Sequence, residues 1–316
     1  MYIRILAHLV LLLISSSACA SIQAAQKLSV MLDWKVNPNH AAIIVAQQQG
    51  FFKEEGVSVK LFEPLDPLMP AKWVATNKYD LAVMHGDEFI VNQSKHLPLI
   101  KTATLISTPL HCILTLKTSG IKTLDDLQGK NLGYAFPHTR GSFDLMLHTS
   151  SKPIKDIKKI YLGTDPIQAL LKKEVDAITS NYRHFDKHQI RLQGHDVVLF
   201  YPEEHGVPSH DELILVANSS YLQSSAIHAF NRALTRSVAY MVNYPDQAWK
   251  SFISYNSKKL NTVVYQSAWN ETIARFAHRP SATDFHRYKQ YADFLQQKGF
   301  ITKKPSFKQA FLPSQR

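Results

Sequence analysis

Cysteine is nearly absent from this chain. Of 316 residues only Cys19 and Cys112 are cysteines, which excludes a disulfide scaffold and any multi-cysteine zinc or iron–sulfur site. Eleven glycines and fifteen prolines are too few for a fibrous or low-complexity protein. No apolar run reaches the roughly 20 residues that span a bilayer. Runs of one charge are missing too. Lys and Arg number 36 against 25 Asp and Glu, a net charge of +11. No two of these basic residues are followed by a third, and no groove-reading motif accompanies them, so nucleic acid is not the expected partner. Scattered positive charge suits a surface that meets anionic lipid or an acidic partner. What is present is ordinary globular composition, 45% hydrophobic and 19% charged, with length for about two domains.

The first residues read as an export signal, the region 1–26. Arg4 supplies a charge, Ile5 to Ile14 is apolar except His8, and Ser15 to Ala20 is small. Cleavage after Ala20 or Ala24 fits, and lipidation of Cys19 is a third option. Ser16 stands where a lipoprotein signal usually has Leu. The working protein is therefore expected in the periplasm or another extracytoplasmic space. Only Cys112 then remains, so no internal disulfide forms, and its place in an apolar strand pattern reads as a buried small hydrophobe.

Strand and helix patterns alternate over the first half. Lys27 to Asp33, Val57 to Leu61, Tyr79 to His85 and Leu99 to Leu105 read as strands. Ala41 to Phe52 and Gly86 to Lys95 read as helices, and Asp66-Pro67 as a helix start. This order predicts a mostly parallel sheet. A second unit starts near Leu110, with strands at 131–136, 157–162, 175–180 and 196–200 and a helix opened by Asp165-Pro166. Glu212 to Ala217 reads as a strand returning to the first unit. From Ser224 onward the apolar spacing is helical, and the tail from Lys303 to Arg316 looks like a loose polar strap. Short crossings near 107–109 and 204–211 join the units. The expected division is 27–107 plus 211–316 as one lobe and 108–210 as the other. Two such units imply a cleft at strand carboxyl ends that closes by hinge motion.

Several motifs resemble a known family. Asp33-Trp34-Lys-Val-Asn37-Pro38-Asn39-His40 and Gly50-Phe-Phe-Lys-Glu-Glu-Gly56 resemble the opening of periplasmic binding proteins for thiamine pyrimidine precursors. The likeness resumes at Lys130 to Tyr134, Asn181 to Phe185, Glu204-His-Gly-Val-Pro208, Asp211 to Asn218 and Tyr244 to Trp249. It implies an α/β, two-lobed type II periplasmic binding protein fold with a hinge-closing cleft and a helical C-terminal region. It also implies a small pyrimidine ligand, delivery to an ABC transporter permease at the membrane, and no cofactor. The same superfamily contains a fungal-type pyrimidine synthase that consumes pyridoxal phosphate and one of its own histidines. That enzyme uses a Lys, a His four residues later and a Cys-rich segment. Here Met84 and Glu88 stand at the Lys and His positions and no Cys-rich segment exists. The resemblance therefore points to a binding protein rather than an enzyme; a synthase-like enzyme, or a receptor for another small aromatic or sulfonate-like ligand, is the alternative.

A pyrimidine ring calls for aromatic plates and a few fixed polar partners. Trp34, Phe136 and Tyr182 follow strand ends that face the expected cleft. Each also fits an ordinary core position. Asn37 and His40 either contact the ligand or shape the turn after Trp34. Met84 and His85 close the third strand and join the candidate set. A 4-aminopyrimidine presents a ring nitrogen beside an amino group, which one carboxylate can engage in a bidentate pair. Asp87, Glu88, Glu204, Asp211 and Glu212 lie at loops of the right kind, and Glu204 is favoured for its place in the matched stretch. Each has a solvated-surface alternative. His184 and His188 have the spacing of two ligands on a helix face, but no third ligand accompanies them, and no metal site is expected. The segment Pro137 to Ser142 offers either a helix N-terminus for an anion or plain capping.

Overall fold

The computed structural model describes residues 25–135, 144–147, 149, 154–163, 165–180 and 182–313. Residues 1–24 of the expected export-signal region, with Cys19, together with Phe136 and the 137–142 segment, lie outside these described residues, whereas Gln26 already belongs to the first strand.

Among the described residues, ten strands form two five-stranded sheets. The first sheet contains β1 (Gln26–Met31), β2 (Val57–Phe62), β3 (Leu81–His85), β4 (Leu99–Ile106) and β10 (Leu213–Asn218), in the order β2-β1-β3-β10-β4. The second contains β5 (Cys112–Leu116), β6 (Asn131–Tyr134), β7 (Lys158–Tyr161), β8 (Ala177–Ser180) and β9 (Val197–Phe200), in the order β7-β6-β8-β5-β9. The expectation of mostly parallel pairing is corrected here, for both sheets are mixed. β10 runs antiparallel to β3 and β4, and β5 runs antiparallel to β8 and β9. The reason is the pair of crossings. β4 leaves the first sheet toward the second and β10 returns from it, so the two neighbours must point in opposite directions. β5 and β9 obey the same constraint in the second sheet.

Alternation of side chains explains why the first sheet is covered on both faces. Leu213, Leu215 and Ala217 of β10 join one apolar cluster, and Ile214 and Val216 join the other. The first cluster takes in the helices Ala41–Gln48 and Ser225–Asn243. The second takes in Gly86–Ser94 and Phe285–Gln297. Each wholly buried Leu, Ile or Phe in these layers contributes about 1.5–3 kcal/mol. The helix expected over Ala41 to Phe52 is broken in two at Gly50, whose φ of +77° suits glycine. The helix expected at Asp66-Pro67 begins later, at Pro70, because the Asp66 carboxylate accepts the Leu68 N–H in a local turn. The tail is tighter than a loose strap. Phe311 bridges to Lys101 on β4, and the Leu312 N–H donates to the Lys101 carbonyl, so the chain end covers a sheet edge.

Gly86 lies where β3 turns into its helix against the second crossing. A Cβ there would sit 2.1 Å from the Asp211 carbonyl oxygen. The Gly86 N–H instead donates to the Glu212 carbonyl at 3.0 Å. That close approach brings the end of β3, with Met84 and His85, against Glu212.

Candidate functional site

The turn after β1 is built to hold one carboxylate. Asn37 Oδ1 accepts the Asn39 N–H, and the Asn37 N–H donates to His40 Nδ1 at 3.2 Å. With Nδ1 accepting, Nε2 carries the proton and donates to Asp33 at 2.7 Å. Burial alone would raise the Asp33 carboxyl, but His40, which donates to it, with His85 nearby, holds it below the usual range. Asn37 and His40 are buried and occupied with this turn. They position Asp33 and Trp34, and neither lines the pocket.

That pocket has a volume of about 300 Å³. Asp33, Trp34, Met84, His85, Asp87, Glu88, His111 and Tyr182 line it. Trp34 follows β1, Met84 and His85 end β3, and Tyr182 caps the helix Arg183–Arg191 behind β8. The structure therefore brings together Trp34, Met84, His85 and Tyr182 of the residues singled out in the sequence. Glu204 is an exception. It lies exposed on the turn Pro202–Glu204, outside the pocket, while its neighbour Glu203 forms a two-pronged pair with Arg183.

A second buried carboxylate, Glu212, sits where the crossings meet. It accepts from His85 Nδ1 at 2.9 Å, His111 Nδ1 at 3.0 Å and the Leu110 N–H at 2.6 Å. His85 belongs to the first sheet, and Leu110 and His111 lead into β5 of the second. One side chain thus ties both units at the pocket wall. Burial would raise Glu212, yet the two imidazoles hold it well below the usual carboxylate range. Burial would lower His85, yet the Glu212 hydrogen bond and charge, helped by Asp33 and Asp87, push it up to about 10. Glu88 behaves differently. Its carboxyl is desolvated by the pocket walls and repelled by Asp87, and with His85 only partly offsetting this it rises to about 7.

Sequence reasoning weighed Glu212 and Glu88 without singling them out, and missed His111 and the apolar wall of Leu68, Val91, Leu145, Leu295 and Phe300. The available sign for Glu212 is an acid directly before a wholly buried strand. The His184 and His188 pair is divided between partners. His184 Nε2 donates to Asn39 Oδ1 at 3.1 Å, and His188 meets Glu271 at 3.1 Å. Among the described residues this pair joins no three-ligand cluster.

A family profile described as NMT1/THI5-like matches residues 37–248. The chain belongs to this family. Within it, a Haemophilus influenzae relative named "Putative thiamine biosynthesis protein" is 41% identical over 90% of this chain and 91% of its own. A Halalkalibacterium halodurans relative named "Formylaminopyrimidine-binding protein" is 27% identical over 85% of this chain and 82% of its own. A Legionella pneumophila relative at 25% identity, covering 79% of this chain and 80% of its own, is named 4-amino-5-hydroxymethyl-2-methylpyrimidine phosphate synthase. The NMT1/THI5-like chain also shares its fold with the periplasmic aliphatic sulphonate binding protein SsuA of Escherichia coli, at a TM-score of 0.73 and 14% identity over 91% of this chain and 97% of that one. The architecture is the two-lobed α/β fold of type II periplasmic binding proteins. Among the described residues no helix is long and apolar enough to cross a membrane.

Asp186, one turn into the Tyr182-capped helix, permits a pH test of this region. Burial raises its carboxyl to about 6, although the Ser180 hydroxyl and the Tyr182 backbone oppose the rise. The folded state holds this proton more firmly than the unfolded chain, so stability falls as pH climbs from about 4 to about 6. Asp186→Asn should then gain about 2–3 kcal/mol at pH 7 and almost nothing near pH 3.5. Urea unfolding at both pH values checks this; an equal effect at both would refute it.

Proposed function

We propose that this protein is the solute-binding component of an importer. It captures a thiamine pyrimidine precursor, of the formylaminopyrimidine or hydroxymethylpyrimidine kind, outside the cytoplasm and delivers it to an ABC permease. One observation carries the reading: a single pocket holds Trp34 from the first sheet, Tyr182 from the second, and Glu88. Two aromatic plates contributed by different lobes grip a flat ring only when the lobes close on it. In this reading residues 27–107 with 211–316 form one lobe and 108–210 the other, and the exported chain loses its first residues. Glu88 takes the ring-pairing role first given to Glu204. Asp33 and Glu212 are already committed to histidines, whereas Glu88, at about 7, readily shares a proton with a ring nitrogen while accepting from the adjacent amino group.

Relatives named as synthases make catalysis the second reading. Against it, Met84 cannot form a Schiff base and Glu88 cannot donate an imidazole. The ligand is therefore released unchanged, with affinity between nanomolar and micromolar, about −12 to −8 kcal/mol. Mass spectrometry of the small molecule released from purified protein, followed by calorimetry with formylaminopyrimidine, tests the proposal. A pyrimidine should be recovered, and Glu88→Gln should weaken its binding by about 1.5–3 kcal/mol, as loss of a charged hydrogen-bond partner does. Consumption of pyridoxal phosphate, or loss of a histidine from the chain, would overturn it.

A further inference from the structure

We propose that His85, His111 and Glu212 form a divalent-metal site of zinc type in the wall of the ligand pocket. The three residues come from separate segments: the end of β3, the residue before β5 and the residue before β10. Their ligand atoms, two imidazole nitrogens and one carboxylate oxygen, all lie within 4.8 Å of one another. Both Nδ1 atoms address the same oxygen, Glu212 Oε1, at 2.9 and 3.0 Å.

The donor set matches the chemistry of zinc. Two imidazoles and one carboxylate are three protein ligands that leave a fourth position open. Burial separates this cluster from the loose acidic groups common on protein surfaces. The side chains of His85, His111 and Glu212 are 16%, 9% and 1% exposed. An outer layer is present as well. The second Glu212 oxygen accepts the Leu110 N–H at 2.6 Å, which fixes the carboxylate and turns its other oxygen to the imidazoles. Arg183 donates to the His111 carbonyl at 3.1 Å and holds that backbone in place. Because His85 and His111 also line the pocket, water or a heteroatom of a bound ligand can reach the open position. The two Nδ1 atoms and Glu212 Oε1 are already gathered by hydrogen bonds without an ion, and a bound ion would displace the Nδ1 protons; His111 Nε2 is buried with no hydrogen-bond partner among the described residues. An ion held there would join the first unit, through His85, to the second, through His111. None of this depends on the pyrimidine reading.

The test uses the full mature protein, stripped with a chelator and titrated with zinc alone by calorimetry and with cobalt(II) alone by visible absorption. One equivalent of zinc should bind, and cobalt should give the visible bands of a low-coordinate nitrogen and oxygen site. His85→Ala and His111→Ala should each weaken zinc by more than about 100-fold, beyond the usual loss when only an outer-layer partner is removed. Thermal melting confirms that the variants fold, and His85, at the pocket edge, is the safer substitution. Absence of saturable binding up to millimolar zinc overturns the proposal. So does binding that survives both substitutions, which would assign the metal to other histidines.

Discussion

Replacing Glu212 with alanine should cost about 3–5 kcal/mol of folding stability, measured in metal-free buffer. The side chain is 1% exposed and serves three donors at once: His85, His111 and the Leu110 N–H. Its removal leaves a charged His85 and a backbone donor in a desolvated place without a partner. Breaking a buried ion pair from one side costs about that much, because the charge left behind keeps its full desolvation penalty. The loss also falls at the junction of both crossings, where the Glu212 N–H donates to Ile106 at the end of β4. Glu212→Gln should cost less, since an amide still accepts one hydrogen bond. Urea unfolding gives the answer directly. A change below about 1 kcal/mol for alanine would mean that water or neighbouring groups replace the carboxylate at little cost.

The alternation of strands and helices was legible in the sequence, because apolar period and turn chemistry are local properties. Glu212 to Ala217 announced itself as a strand by its apolar, β-branched composition, and the structure places that strand at Leu213–Asn218. Its direction did not, since antiparallel pairing with β4 follows from the crossings and not from any residue in the strand. Trp34, Met84, His85 and Tyr182 reach the pocket because they follow or end strands, the positions where the sequence pattern could be read. The carboxylates were harder. Glu204 and Glu212 both stand near the returning crossing, and nothing local tells which of them turns inward. The structure separates them through Arg183, which takes Glu203 and leaves Glu204 on the surface, and through His85 and His111, which draw Glu212 inside. His111 escaped notice because its partners lie 26 residues before it and 101 after it in the chain, a spacing no short motif records. Asn37 and His40 were found as a pair, and their work on Asp33 emerges only from the hydrogen bonds of a folded turn.

Trp34→Ala should weaken formylaminopyrimidine binding by about 2–4 kcal/mol, a loss of roughly 30- to 1000-fold. Trp34 lies three residues past the end of β1 and lines the pocket, with Lys35 Nζ 6.0 Å from its ring centre. Stacking on a flat heteroaromatic ring contributes about 0.5–1.5 kcal/mol beyond the area removed from water, and the void left by alanine adds to the loss. The side chain is only partly buried, so folding should be little affected, and an unchanged melting temperature separates lost binding from lost structure. Trp34→Phe should recover most of the affinity, because a smaller plate still stacks. Calorimetry on the two variants distinguishes the outcomes. Equal loss in both would point to a hydrogen bond from the indole N–H instead of its face. Unchanged affinity in Trp34→Ala, with the fold intact, would remove Trp34 from the ligand's surroundings and leave Tyr182 as the aromatic plate to test next.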